Sequence, residues 1–249
     1  MKRTLFEDLC RRHHAEGFRY FHQRRLWRPL REPGRESAGL CAALIEMWWG
    51  ALVKGDSLLE RLTEPTPALL RQLTETQRRS RHLHALEGVA ATDLNAKDRE
   101  LLKHKYGSAD PDLIRTRLAH RGAADFLELD LMTSFHCRIA SRSHLDREGV
   151  DPGSWRMDDG PGAWLMLAVL RYTKPKGAGA VQSGHRLALA RLTPHRLVFF
   201  DPNCGQVIFR DAASCQAWLA DFWQAAIYRH RLPPRQDLHY LTLFQLRPL

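Results

Sequence analysis

The chain has 249 residues, with 38 Lys and Arg against 28 Asp and Glu, giving a net charge of +10 at pH 7 and a pI near 9.8. With 44% hydrophobic and 27% charged residues and a mean hydropathy of −0.42, the composition is that of a soluble globular protein with room for a sizeable core. It excludes collagenous and low-complexity classes; the longest apolar runs, such as Trp164 to Leu170, are far too short to span a bilayer. Met1-Lys-Arg-Thr-Leu runs into Glu7, Asp8 and arginines, where a secretory signal would have an apolar stretch, so no Sec-type leader is expected.

In chain order, Leu5 to about Leu30 reads as helical, punctuated by Gly17, and Pro33-Gly34 closes a loop. Ser37 then caps a helix with Leu40, Ala43, Leu44, Met47, Trp48, Ala51 and Leu52 at helical spacing, stopped by Gly55. From Leu58 to Phe135 the pattern is mainly helical. One helix opens at Thr66-Pro67, a second is capped by Asp93 and ends near Gly107, and a third opens at Asp110-Pro111. His136 to Gly162, rich in Ser, Asp, Gly and Pro, reads as a long loop.

The last third changes character. Ala163 to Tyr172 is a continuous apolar run fit for a buried strand, and Lys174 to Gly179 reads as a loop. His185 to Leu192 alternates as a strand, Thr193 to Arg196 turns, and Leu197 to Phe200 forms a second strand. After the Pro202 to Gly205 turn come a third strand, Gln206 to Arg210, and a helix capped by Ser214 that carries Trp218, Leu219, Phe222, Trp223 and Ile227. Leu238 to Leu246 closes as a strand. Helices first and an antiparallel meander afterwards is the α+β arrangement.

The basic residues recur as small groups, such as Arg24-Arg25, Arg78-Arg79-Ser80-Arg81 and Arg229-His230-Arg231, interleaved with helix-like apolar positions. With no zinc-finger, helix-turn-helix, RNP or KH signature, they read as a solvated arginine-rich surface without a specific nucleic-acid partner. The five cysteines (10, 41, 137, 204 and 215) are odd in number and form no C-x-x-C pair, which argues for reduced thiols. The histidines lack metal-site spacing, so no metal and no cofactor is expected.

Three residues fall where chemistry is possible. Cys41 sits near the first turn of a helix, whose unpaired N–H groups and positive partial charge favour a thiolate. His185 opens a strand, and Asp201 closes the strand hairpinned to it, within side-chain reach. A histidine can pair with the thiolate and later protonate a leaving group, and an aspartate on its other nitrogen fixes tautomer and orientation. Taken singly, each fits a duller role: a core cysteine, a structural histidine and an Asx turn. The tryptophans at 48, 49, 218 and 223 have the spacing of buried helix faces, and Cys204 that of a turn residue.

Gly39-Leu-Cys41-Ala-Ala-Leu-Ile-Glu-Met-Trp48, Gly184-His185-Arg-Leu-Ala-Leu and Phe199-Phe200-Asp201-Pro202-Asn203-Cys204-Gly205 together resemble the bacterial effector cysteine proteases of the YopT/AvrPphB type. The resemblance spans about 37–49 and 163–244, and includes the helix around Trp218 and the last strand. It implies a papain-like fold in which a nucleophile helix packs on an antiparallel sheet, with extra helices inserted between them. The whole chain, 1–249, is then one domain: a helical extension over 1–33, a helical insertion over 56–135, and an antiparallel sheet with one helix over 163–249.

By the same resemblance Cys41 is the nucleophile, His185 the acid/base and Asp201 its orienting partner. The implied protein is a secreted bacterial effector or toxin, a thiol protease acting on a specific protein in the target-cell cytoplasm after contact-dependent secretion. Expected partners are a substrate with an acidic face, an immunity protein or secretion chaperone, and an anionic membrane surface. Transglutaminase or glutamine deamidase chemistry uses the same triad, and a non-catalytic basic binding module is the remaining alternative. In one respect the chain departs from the pattern. The family places an amide side chain five or six residues before the nucleophile, whereas Arg35 and Glu36 stand there. An ionised Glu36 would repel an oxyanion, which leaves Arg35 or Gln182 as donor beside the Cys41 N–H.

Overall fold

A computed structural model describes residues 1–26, 39–85, 95–110, 112–113, 116, 126–145, 163–176, 179–225 and 238–249. Helix α1 (Arg3–Arg12) and strand β1 (Gly17–Tyr20) are followed by α2 (Cys41–Val53), α3 (Leu58–Arg61), α4 (Pro67–Ala85), α5 (Ala96–Tyr106) and α6 (Phe126–Phe135). Then come β2 (Cys137–Leu145), β3 (Trp164–Lys176), β4 (Gly179–Thr193), β5 (Arg196–Asp201), β6 (Gly205–Phe209), α7 (Ala212–Ala225) and β7 (Leu238–Pro248). The strands form one seven-stranded sheet in the order β1-β6-β5-β4-β3-β7-β2, and every neighbouring pair is antiparallel.

Both faces of the sheet are covered, which explains the continuous apolar run in β3. Leu165, Leu167 and Val169 share a core with Ala43, Leu44, Ile45 and Trp48 of α2. Trp164, Met166, Ala168 and Leu170 point the other way, into a core built with Phe6 of α1 and Trp218 and Phe222 of α7. Strand β4 divides in the same manner, with Ala188 and Ala190 toward α2 and Leu187 and Leu189 toward α7. This is the expected α+β architecture of a helix on an antiparallel sheet, with α3 to α6 inserted between α2 and the main strands.

Helix α2 is apolar on nearly every side because it is buried on nearly every side. Trp48 stacks on Phe200 of β5 at 5.4 Å between ring centroids and donates its indole N–H to Gln206 Oε1 at 2.8 Å. Trp49 donates to the Phe135 carbonyl at 3.2 Å. Trp218, fully buried, packs on Phe199 and Phe222 at 4.9 and 4.6 Å. All four tryptophans singled out above are core residues.

Several local readings are corrected. The amino-terminal segment is not helical throughout: Gly17-Phe-Arg-Tyr20 is an edge strand on β6, as its aromatic content allows. The predicted loop after His136 begins instead with β2, an edge strand on β7. Its Ser and Arg residues are tolerated because the described side chains of the strand are largely exposed. Strands β3 and β4 run into the predicted Lys174 to Gly179 loop, β3 to Lys176 and β4 from Gly179. The second middle helix is capped by Asn95 and α7 by Asp211, whose side chains accept from Asp98 N and Ser214 N. Helix α2 is preceded by Leu40 as N-cap, with no side-chain cap, in place of the expected Ser37; Ser37 and Asp93 themselves and most of the third middle helix lie outside the described residues.

Candidate active site

The site forms where the first turn of α2 meets one end of the sheet. The β4–β5 ladder stops at Ala188 opposite Phe200, and His185 and Asp201 lie past its end. His185 Nε2 and Asp201 Oδ1 are 2.8 Å apart, with His185 only 3% exposed and Asp201 fully buried. Asp201 Oδ1 also accepts the backbone N–H of Asn203 at 2.8 Å, which pins the carboxylate in the turn after β5. With Nε2 occupied by Asp201, Nδ1 is the ring nitrogen available to Cys41, whose sulfur hydrogen-bonds His185.

Electrostatics separate Cys41 from the other thiols. Burial pushes its pKa up, but the hydrogen bond and charge of His185, the charge of Arg186 and the Arg186 backbone N–H outweigh it, so the thiol falls below its ordinary value. Burial likewise disfavours the His185 cation, yet the charge and hydrogen bond of Asp201, with the contact to Cys41, raise its pKa to about 10. Both shifts favour a thiolate–imidazolium pair. By contrast, burial pushes Cys10 up to about 12 and Cys137 up to about 11. Burial also raises Cys215, and burial with the neighbouring Asp201 charge raises Cys204 well above the ordinary thiol range. Cys204, in the turn after β5, is thus held as a neutral thiol.

The amino terminus of α2 is held by two glutamines from elsewhere in the chain. Leu40 N–H donates to Gln23 Oε1 at 2.7 Å, and Ala43 N–H donates to Gln77 Oε1 at 3.2 Å. The Cys41 N–H, between them, belongs to the first-turn donors that have no partner within the helix. Gln23, 4% exposed, also donates from Nε2 to Asn203 Oδ1 at 2.7 Å, and its backbone N–H donates to the Pro202 carbonyl at 2.7 Å. Asn203 Nδ2 lies 3.4 Å from His185 Nε2.

The structure thus brings Cys41, His185 and Asp201 together. Arg35 and Glu36 lie outside the described residues, as does the side chain of Gln182. Gln23 and Arg186 escaped the sequence reading. Gln23 sits far upstream of Cys41, and no spacing rule joins the two; Arg186 shares a strand with apolar neighbours. Among the described residues no group of three or more His, Cys, Asp or Glu is disposed to hold a metal ion, and no helix is long and apolar enough to cross a membrane.

Residues 169–245 match the peptidase C58 family, described as the Yersinia/Haemophilus virulence surface antigen. That segment carries His185 and Asp201, while Cys41 stands outside it. The carboxyl-terminal third is thus similar in sequence to that family, in line with the YopT/AvrPphB-type resemblance. None of the curated proteins matches the chain. The solved structures to which the chain is similar include two bacterial proteins. The Pseudomonas avirulence protein AvrPphB is 14% identical, with a TM-score of 0.40 over 83% of this chain and 90% of its own. PatoxP, a cysteine protease-like domain of the Photorhabdus asymbiotica toxin PaTox, is 13% identical, with a TM-score of 0.25 over 99% and 88%.

Proposed function

We propose that the chain is a thiol protease of the effector type, acting on a specific protein of a target cell through Cys41, His185 and Asp201. The observation that carries this reading is a buried His185 held by Asp201 at 2.8 Å, in contact with a cysteine whose pKa is lowered. The Cys41 thiolate attacks the scissile carbonyl carbon, forming a C–S bond while the carbonyl electrons move to oxygen. The Cys41 N–H, free of any helical partner, donates to that oxyanion, a contribution of roughly 2.7–4 kcal/mol for donors of this kind. Imidazolium His185 protonates the departing amine as the C–N bond breaks, and then draws a proton from the water that hydrolyses the thioester. Asp201 holds the ring in the tautomer this exchange needs.

The whole chain works as one papain-like unit, in which α3, α4 and α6 pack against α2. The protein is delivered into the target cell by a contact-dependent machine, and the net charge of +10 favours a substrate with an acidic face. Terminus mapping across a target-cell proteome, with wild type against Cys41→Ala, tests the assignment. New amino termini with wild type alone support proteolysis. A +1 Da product without new termini would instead indicate deamidation, and amine incorporation with loss of 17 Da would indicate acyl transfer. No wild-type-dependent product of any kind would overturn catalysis altogether.

A further inference from the structure

Gln23 links both halves of the site, and the polarity of its hydrogen bonds is dictated by the backbone. A peptide N–H can only donate, so the Gln23 atom facing Leu40 N at 2.7 Å is the oxygen. The other end of the amide is then the NH2 group, and the Asn203 atom 2.7 Å from it must be Oδ1. The Asn203 NH2 consequently faces His185 Nε2 at 3.4 Å. It presents a donor toward a ring nitrogen already paired with Asp201 at 2.8 Å, so Asn203 does not compete with Asp201 for the Nε2 proton.

The same glutamine fastens the two polypeptide segments that must stay in register. Its side chain holds the residue before Cys41, and its backbone N–H holds the Pro202 carbonyl in the turn carrying Asp201. Even the neighbouring glycine fits: a Cβ on Gly39 would come within 3.3 Å of Gln23 Oε1. We propose that Gln23 is a positioning residue that sets the distance from Cys41 to His185 and, through Asn203, makes Asp201 the acceptor for Nε2. The inference rests on the thiol-protease reading of the site.

The titratable groups acting on His185 are Cys41 on α2 and Asp201 at the end of β5; His22, on the segment carrying Gln23, and Cys204 in the turn act on Asp201, and Arg186 on β4 acts on Cys41. None of these is altered by changing Gln23. Gln23→Glu keeps an acceptor for Leu40 N–H but offers oxygen to Asn203. The Asn203 amide must then turn round, placing Oδ1 toward His185 beside an added negative charge, and both effects favour the imidazolium.

The test is the rate of Cys41 alkylation by iodoacetamide against pH, read by mass spectrometry, which needs no substrate. In Gln23→Glu we expect the limb reporting loss of the His185 proton to move up by about one pH unit, while low-pH reactivity is retained. In Gln23→Leu, alkylation at pH 6 should slow roughly 10- to 100-fold, as misplacement by an ångström commonly does. A merely structural glutamine would lower the melting temperature without moving the limb. If both variants melt cooperatively and keep the wild-type profile, the proposal is overturned. Should Gln23→Leu fail to fold, Gln23→Glu decides alone. A wild type that labels at pH 6 no faster than an ordinary thiol would overturn the underlying protease reading instead, which is a separate outcome.

Discussion

Asp201 gives up all of its solvent contact for three tasks: it accepts from His185, accepts from Asn203 N–H and raises the His185 pKa to about 10. Asp201→Asn removes the charge and keeps the shape. We expect Cys41 alkylation at pH 6 to fall roughly 10-fold or more, with its pH dependence moving toward that of an unpaired thiol. The sign of the stability effect follows from the same shift. A histidine whose pKa rises from 6.5 to about 10 on folding contributes stability that is complete below 6.5 and is lost as pH climbs through 10. The melting-temperature gap between wild type and Asp201→Asn should therefore be widest near pH 6 and narrow toward pH 10. A gap that widens with rising pH would contradict the imidazolium assignment. Of the site, Cys41, His185 and Asp201 are legible in the sequence because strand alternation and helical periodicity restrict where they can stand. Gln23 and Arg186 are not, because their roles depend on contacts between segments that no local pattern encodes.

The turn from β5 to β6 is where an element boundary decides the site. Gly205 has φ of +122°, and a Cβ there would fall on the Arg19 carbonyl of β1. The glycine thus serves both the hairpin that presents Asp201 and the docking of the edge strand that leads into Gln23. Gly205→Ala is expected to cost at least about 2 kcal/mol, because backbone lies in the way and the φ is one that alanine resists. Thermal melting should show a loss of roughly 4–8 °C for a chain of this size, while an unchanged melting temperature would mean that β1 can shift aside. The edge strands β1 and β2 were read as helix and loop for a shared reason: both lie at sheet margins, where exposure removes the apolar alternation that marks a strand. The central strands β3, β4 and β5 kept that signal, since burial on one or both faces demands apolar side chains.

At the scale of the molecule, the charge of +10 acts on association more than on folding. For a substrate bearing an acidic face, raising the salt from about 50 to 200 mM should raise KM several-fold with little change in kcat, because exposed charges are screened and the buried triad is not. A salt effect confined to kcat would place the sensitivity inside the site instead. Placing one side chain of the proposed triad on a helix and two on strands asks the core to set their separation. Trp48 against Phe200, with the two glutamines at the start of α2, does so. The sequence by itself determined the α+β class, the buried helix beginning near Cys41, the hairpin carrying His185 and Asp201, and the motifs that resemble an effector protease family, because all of these are written in local periodicity and short-range chemistry. Only the tertiary structure decided that β1 and β2 complete the sheet, that Cys41 is the one cysteine of the five whose pKa is lowered, and that Gln23 joins α2 to the Asp201 turn. Those outcomes arise from desolvation and from hydrogen bonds between residues far apart in the chain, and such energies exist only once the segments have packed.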